Sequence, residues 1–190
     1  TVTDRKGRQV VGLRVDNFHV DEDGRGQEIL LVDGADAPPV VGLIVDNSGS
    51  MTDKQSEVSK AALAFVAASN PRDEMFVVTF NEHVTFGLPA GSAFTSDAQQ
   101  IAGALRGHAP AGFTALYDAL AAGIDHLQAA SRDRKALVVL SDGGDNASRR
   151  SLDQVLRDAQ RSTATIYTIG LYDDTDRDSE GRRRRRARAP

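Results

Sequence analysis

The stretch VVGLIV at residues 40–45, followed at once by DNSGSM at residues 46–51, decides the fold of this chain. An uncharged run of this length is typical of a strand that is covered on both faces of a sheet. The polar residues after it place Asp46, Ser48 and Ser50 at alternate positions of a turn, which Gly49 lets tighten. Strand, polar turn and helix form the repeating unit of an α/β protein.

The alternation of predicted strands and helices continues to residue 171. The apolar pattern predicts strands at 40–45, 75–80, 84–88, 135–140 and 163–171. It predicts helices at 56–69, 96–105, 115–129 and 151–162. The last helix opens on a capping box from Ser151 to Gln154, and the strand at 84–88 is expected to be an antiparallel edge. We therefore predict an α/β fold with a doubly wound, mainly parallel sheet and helices on both faces.

Residues 1–37 have a different pattern, in which short β-prone stretches are separated by turns. Strands are expected near 1–3, 9–11, 18–20 and 28–31. We divide the chain into a small N-terminal β appendage at 1–37, a doubly wound domain at 38–172, and a tail at 173–190 that is acidic and then rich in arginine. The arginine run could bind nucleic acid or anionic lipid. A solvated, flexible tail or a helix stub is the preferred interpretation, because no aromatic residues interleave with the arginines and the rest of the chain repels phosphate.

Composition limits the function. The chain has no cysteine, which excludes disulfides, thiolate zinc sites, iron–sulfur clusters and a cysteine nucleophile. No apolar run approaches the roughly 20 residues of a membrane span. Six of the 23 basic residues lie in 182–190, so the remainder carries 17 basic and 27 acidic residues, a formal charge of −10. This acidic part of the chain is expected to bind nucleic acid poorly and is suited to binding cations.

Polar loops follow the predicted strands at the sheet edge where open α/β proteins bind ligands. Asp46, Ser48 and Ser50 follow the first buried strand, Asp142 follows the strand at 135–140, and Thr114 lies between two helices. These side chains offer hard oxygen donors with no thiolate and no nearby imidazole. They suit Mg²⁺, with Mn²⁺ and Ca²⁺ as alternatives. We predict one metal site built from Asp46, Ser48, Ser50, Thr114 and Asp142.

The three-part pattern resembles the metal-ion-dependent adhesion site of bacterial von Willebrand factor type A (VWA) domains, over residues 38–172. The resemblance implies that Ser48 and Ser50 bind the metal directly, and Thr114 directly or through water. It implies that Asp46 and Asp142 act through water. The remaining position would take an Asp or Glu carboxylate from a protein partner, and the sheet order would be 3-2-1-4-5-6. The function so implied is a divalent-metal-dependent protein-binding or adhesion module, not an enzyme.

Location and sheet closure follow from the same resemblance. The stretch at 18–24 is similar to a strand motif before the domain in some exported bacterial members, so we expect an exported or cell-surface protein, although no signal peptide precedes Thr1. In the family, one more helix and strand normally follow the last strand predicted here. In this sequence the corresponding segment is acidic and then rich in arginine. Without that unit, the strand at 163–171 is expected to be an exposed edge.

Two other functions stay open at this point. Asp46 could serve a metal-dependent hydrolase or phosphotransferase, although Ser48 stands where such sites usually have a second aspartate. Alternatively, the VWA scaffold could act by surface recognition with an unoccupied site. A serine hydrolase is disfavoured, because no glycine stands two residues before Ser48 and no histidine follows Asp142.

Three further interpretations concern single residues. Each Asp or Ser of the predicted site, taken alone, could be an ordinary turn or cap residue. Asp145, near Asp142, could support the metal ligands, but a solvated turn residue is the preferred interpretation. Phe113, beside Thr114, is either an exposed apolar contact for a partner or a plug of the core.

Overall fold

The computed structural model describes residues 2–8, 10, 12–30, 38–106 and 109–171. The chain divides into two compact units, Thr1–Pro38 and Pro39–Pro190. This division lies one residue beyond the predicted end of the appendage. The predicted tail at 173–190 lies outside the described residues, as do Thr1, Gln9 and Val11 of the first predicted hairpin.

The N-terminal unit contains a small antiparallel sheet of two strands, β1 (Val20–Glu22) and β2 (Arg25–Gln27). Asp23 and Gly24 between them have φ angles of 51° and 74°, both in the left-handed region that a two-residue hairpin turn requires. Pairing therefore starts directly beside the turn. The predicted strand at 18–20 shares only Val20 with β1, and residues 28–30 of the other predicted strand follow β2 without being part of it, so both were placed too far from the turn. Leu31 lies outside the described residues.

The second unit is built on a five-stranded sheet. Its strands are β3 (Val40–Asp46), β4 (Glu74–Phe80), β5 (Val84–Phe86), β6 (Lys135–Ser141) and β7 (Thr165–Gly170), in the spatial order β5-β4-β3-β6-β7. All neighbours are parallel except β5, which pairs antiparallel with β4. Counted from β3, the order is 3-2-1-4-5, the first five positions of the expected order. No sixth strand of this sheet lies among the described residues.

Four helices cover this sheet, namely α1 (Gln55–Ala68), α2 (Ala98–Leu105), α3 (Leu116–Gln128) and α4 (Leu152–Arg161). Side chains at odd positions of β3, such as Leu43, pack with residues of α1 and α2. Those at even positions, such as Ile44, pack with residues of α3, and Ala159 of α4 joins that cluster. Helices thus lie on both faces, and the predicted doubly wound α/β fold is confirmed.

The sheet edge formed by β7 is exposed in the described part of the chain. β7 pairs only with β6 there, and Tyr167 and Ile169 are 58% and 47% exposed.

Among the described residues, no helix has both the length and the apolar character needed to cross a membrane.

The capping box predicted for α4 is present. The Ser151 hydroxyl accepts the Gln154 N–H at 3.4 Å, and the Gln154 side-chain oxygen accepts the Ser151 N–H at 2.8 Å. Ser151→Ala should lower the free energy of unfolding by about 1 kcal/mol, because the first turn loses a side-chain acceptor. Urea denaturation followed by circular dichroism measures the change. Ser151→Thr keeps a hydroxyl and should recover most of the loss; an alanine variant as stable as the wild type would contradict the cap.

Candidate metal centre

The carboxyl ends of β3 and β6 meet through a buried hydrogen bond. Val45 of β3 is paired with Leu140 of β6, so that Asp46 and Ser141, the next residues, come level. The Ser141 hydroxyl donates to Asp46 Oδ2 at 2.6 Å, and the two residues are 3% and 6% exposed. This bond joins positions 95 residues apart in the sequence. It holds together the two strand ends that carry the predicted acidic residues.

The other oxygen of Asp46 orders the turn that follows β3. Asp46 Oδ1 accepts the Ser48 N–H at 2.9 Å, and the Ser48 and Ser50 hydroxyl oxygens lie 3.2 Å apart. Neighbouring ligands of an octahedral Mg²⁺ ion are separated by roughly 3 Å, given metal–oxygen distances of about 2.1 Å. The spacing of the two hydroxyls therefore suits such an ion. Ser48 is buried and Ser50 is exposed, so the pair lies where the interior meets solvent.

Backbone hydrogen bonds bring the segment at 111–115 against this turn. The Gly49 N–H donates to the Gly112 carbonyl at 3.1 Å, and the Ala111 N–H donates to the Asn47 carbonyl at 3.1 Å. Gly112 has a φ of 81°, and a Cβ atom there would collide with the Glu82 carboxylate. Glycine is thus required at 112 for the segment to approach. Thr114, within this segment, is 5% exposed.

The loop after β6 is hydrogen-bonded to the backbone of Thr114. Asn146 Oδ1 accepts the Thr114 N–H at 2.8 Å, and the Thr114 carbonyl accepts the N–H groups of Asn146 and Ala147 at 2.9 and 3.1 Å. Both backbone polar groups of Thr114 are therefore bound by one loop, the loop that also carries Asp142.

The same loop is also hydrogen-bonded to the start of α3. Asp145 Oδ1 accepts the Tyr117 N–H at 3.2 Å and the Ser148 hydroxyl at 2.6 Å. The Asp118 carboxylate accepts the N–H groups of Arg149 and Arg150, each at 3.0 Å. The interpretation of Asp145 as a solvated turn residue is wrong, since its carboxylate binds the N-terminal turn of α3.

The Asp142 carboxylate is held by a long hydrogen bond within its own loop. Its Oδ1 accepts the Gly144 N–H at 3.3 Å, and the neighbouring Gly143 N–H donates to the Ser141 hydroxyl at 3.0 Å. Asp46, Ser48 and Ser50 are joined directly to one another, whereas Thr114 reaches them through backbone bonds of its segment. Asp142 lies beside Ser141, whose hydroxyl contacts Asp46.

Sequence reasoning missed two residues of this arrangement, Ser141 and Asn146. Ser141 ends β6 and Asn146 lies in the loop that follows, and only their tertiary partners reveal what they do. The available signal was a hydroxyl directly before Asp142 and an amide four residues after it.

The predicted donor set contains more hydroxyls than carboxylates. In the described part of the chain, no three side chains from His, Cys, Asp and Glu group as metal ligands. The five predicted residues instead offer three hydroxyls and two carboxylates. Hydroxyl and carboxylate oxygens are hard donors, so this set fits Mg²⁺, Mn²⁺ or Ca²⁺ rather than zinc or copper.

Comparison with known protein families identifies the family to which this fold and motif belong. The sequence model of the von Willebrand factor type A domain matches residues 41–181, well over half of the chain. The chain belongs to this family. The match covers β3 to β7 and the whole candidate site. No curated protein matched the sequence.

Solved structures agree with the VWA fold. A von Willebrand factor type A protein from Catenulispora acidiphila is 24% identical with a TM-score of 0.63, over 74% of this chain and 35% of that one. BatB from Bacteroides thetaiotaomicron is 18% identical with a TM-score of 0.57, over 69% and 65%. The pilus adhesin SpaC from Lactobacillus rhamnosus GG is 21% identical with a TM-score of 0.50, over 58% and 15%. This chain thus spans less than two thirds of each of these proteins.

Proposed function

We propose that this VWA domain is a divalent-metal-dependent module for protein binding or adhesion. The observation that carries the proposal is the pair of hydroxyls of Ser48 and Ser50, 3.2 Å apart and backed by the buried Asp46. Membership of the VWA family supports it. The similarity to a pilus adhesin agrees with it, and with an exported or cell-surface location.

Each predicted ligand has a part in this proposal. Ser48, Ser50 and Thr114 would hold Mg²⁺, Mn²⁺ or Ca²⁺ with their hydroxyl oxygens, while Asp46 and Asp142 would act through water. A bound ion supplies positive charge for an anionic group of the partner. Because the direct ligands are neutral, the ion would keep most of that charge for an Asp or Glu carboxylate. The acidic residues around the site would otherwise repel such a group.

The hydrogen bonds of Asp46 favour a binding module over an enzyme that uses this residue as a nucleophile. One oxygen accepts the Ser48 N–H and the other accepts the Ser141 hydroxyl, and the residue is 3% exposed. A nucleophilic carboxylate must present an oxygen to the substrate within contact distance. Asp46 instead has one oxygen engaged in ordering the turn after β3 and the other in joining β3 to β6.

Isothermal titration with MnCl₂ and MgCl₂ tests the proposal. We expect one ion per chain, with the heat of binding removed by prior addition of EDTA. A protein that takes up no ion would favour the alternative of a VWA scaffold that acts by surface recognition. Release of phosphate from p-nitrophenyl phosphate with Mg²⁺, lost in Asp46→Asn, would favour the hydrolase instead.

Asn146 provides a test of how the Thr114 segment is held. Asn146→Ala removes the acceptor of the Thr114 N–H, so we expect about tenfold weaker Mn²⁺ binding and a stability loss of about 1 kcal/mol. Asn146→Asp keeps an acceptor oxygen and should restore the affinity. Ser151→Ala is the matched control, because it should lose similar stability away from Thr114 and keep its affinity for Mn²⁺. Equal affinity in Asn146→Ala and the wild type would refute this role for Asn146.

A further inference from the structure

An exposed aromatic side chain lies directly beside the candidate site. Phe113 is 65% exposed and precedes Thr114, which is 5% exposed. The described residues before it, Ala109-Pro110-Ala111-Gly112, carry no charge and are exposed except for Pro110, which is half-buried. We call residues 109–113 the apolar rim. The core-plug interpretation of Phe113 is wrong, since most of its surface faces solvent.

The backbone of the apolar rim is fixed at several points. The Phe113 N–H donates to Glu82 Oε2 at 2.9 Å, the Ala111 N–H to the Asn47 carbonyl at 3.1 Å, and the Gly112 carbonyl accepts the Gly49 N–H at 3.1 Å. The next residue, Thr114, is bound to Asn146. An aromatic side chain on a backbone that is already fixed loses less conformational entropy on binding than one on an unordered segment, because only its two side-chain torsions remain to be ordered.

Single exposed apolar residues are common on protein surfaces and need no function of their own. Two features distinguish Phe113 from Leu152 and Leu156, which are also about half exposed, at 48% and 49% on α4. Its backbone is bound by other parts of the domain, and its neighbour in sequence is a candidate metal ligand. Phe113 is therefore the sequence neighbour of a residue that would hold the ion to which a partner's carboxylate would bind.

Charge indicates what kind of partner segment would fit. Outside residues 182–190 the chain has a formal charge of −10, so a segment with several acidic groups would be repelled. One carboxylate can be neutralised by the metal, whereas its neighbours would meet the apolar side chains of the rim, beside which the Glu82 carboxylate adds a further negative charge. Apolar neighbours gain from that contact, and charged ones would lose hydration.

We propose that Phe113 and the apolar rim select protein segments in which the metal-binding Asp or Glu is flanked by an apolar side chain. This inference rests on the proposed function, because the metal must hold the carboxylate. Phe113 is then a specificity residue, which contacts the partner without holding the ion.

Two short peptides test the inference, acetyl-Leu-Asp-Leu-amide and acetyl-Gly-Asp-Gly-amide. Each is titrated into the Mg²⁺-loaded chain labelled with ¹⁵N, and affinities are taken from NMR chemical shifts. We expect the leucine peptide to bind roughly tenfold more tightly, since burial of about 50 Å² of apolar surface has that effect. Phe113→Ala should remove the preference without changing Mg²⁺ affinity. Phe113→Leu should keep most of it, and Leu156→Ala is the control for a lost exposed apolar side chain.

The outcomes separate this inference from the function on which it rests. Equal binding of the two peptides, or a preference that survives in Phe113→Ala, overturns the role of the apolar rim and leaves the metal-dependent module standing. The peptide acetyl-Leu-Asn-Leu-amide has no carboxylate and should not bind. If it binds as well as the aspartate peptide, or if neither aspartate peptide binds the Mg²⁺-loaded chain, both proposals fail.

Discussion

We expect the double variant Ser48→Ala, Asp142→Ala to bind Mn²⁺ at least 100-fold more weakly than the wild type, and to remain folded. It removes one of the paired hydroxyls and one of the two carboxylates, so the ion loses a direct ligand and a nearby negative charge. Isothermal titration measures the affinity, and circular dichroism during heating measures the fold.

The fold should survive because the removed groups make few contacts. The Ser48 side chain contacts the Ser50 hydroxyl, and the Asp142 carboxylate accepts one N–H at 3.3 Å. Losing such bonds costs about 1 kcal/mol each. Asp46, whose carboxylate joins β3 to β6, is left in place. The unfolding midpoint should therefore fall by only a few degrees.

A matched control lies at the opposite end of β6. Ser131→Ala with Asp133→Ala makes the same chemical changes at two exposed residues that precede this strand. This variant should bind Mn²⁺ as the wild type does. If both double variants took up the ion with equal affinity, the assignment of Ser48 and Asp142 would be wrong.

The second large effect is expected from Gly42→Ala in the centre of β3. A Cβ atom there would collide with Phe76 Cζ and would lie 2.6 Å from Leu137 Cδ2. Phe76 is 1% exposed and Leu137 is fully buried, so neither can move without disturbing the packing against α3. We expect a loss of about 3 kcal/mol in the free energy of unfolding, at the upper end for overpacked cores.

The same substitution at Gly103 should have the opposite sign. Gly103 lies in α2 and is exposed, and a Cβ atom added there would meet no neighbouring side chain within 4 Å among the described residues. Alanine there should stabilise the protein by about 0.5–1 kcal/mol, because it favours the helical backbone. Urea denaturation of both variants measures the two effects. A Gly42→Ala variant that unfolds at the same urea concentration as Gly103→Ala would contradict the packing described for β3.

The fold could be predicted from the sequence because its central strands are uncharged runs bounded by clear turn residues. The run at 40–45 and the capping box at Ser151 both depend on neighbours in the sequence, and both lie where they were expected. The hairpin of β1 and β2 was misplaced, since its exposed strands of three residues have no apolar face to set their position.

The candidate site could be predicted only as a set of residues. The motif around Asp46 and the separate Thr114 and Asp142 are visible in the sequence, and their assignment as metal ligands stays a prediction. The bonds of Ser141 to Asp46 and of Asn146 to Thr114 connect positions 95 and 32 residues apart. Such pairings depend on strand register and loop shape. The solvent exposure of the Phe113 side chain likewise depends on tertiary contacts, which the sequence does not show.

The long separation between Asp46 and Ser141 has a consequence for the newly made protein. β3 is synthesised early, yet one of its two neighbours in the sheet, β6, begins only at Lys135. A nascent chain on the ribosome therefore cannot join these strand ends until residue 141 has left the exit tunnel. Closing so long a loop is slow, because its entropy is lost before any contact compensates. Until then Asp46 lacks its Ser141 partner and Asp142 is not yet beside it, so the growing polypeptide should have little hold on an ion.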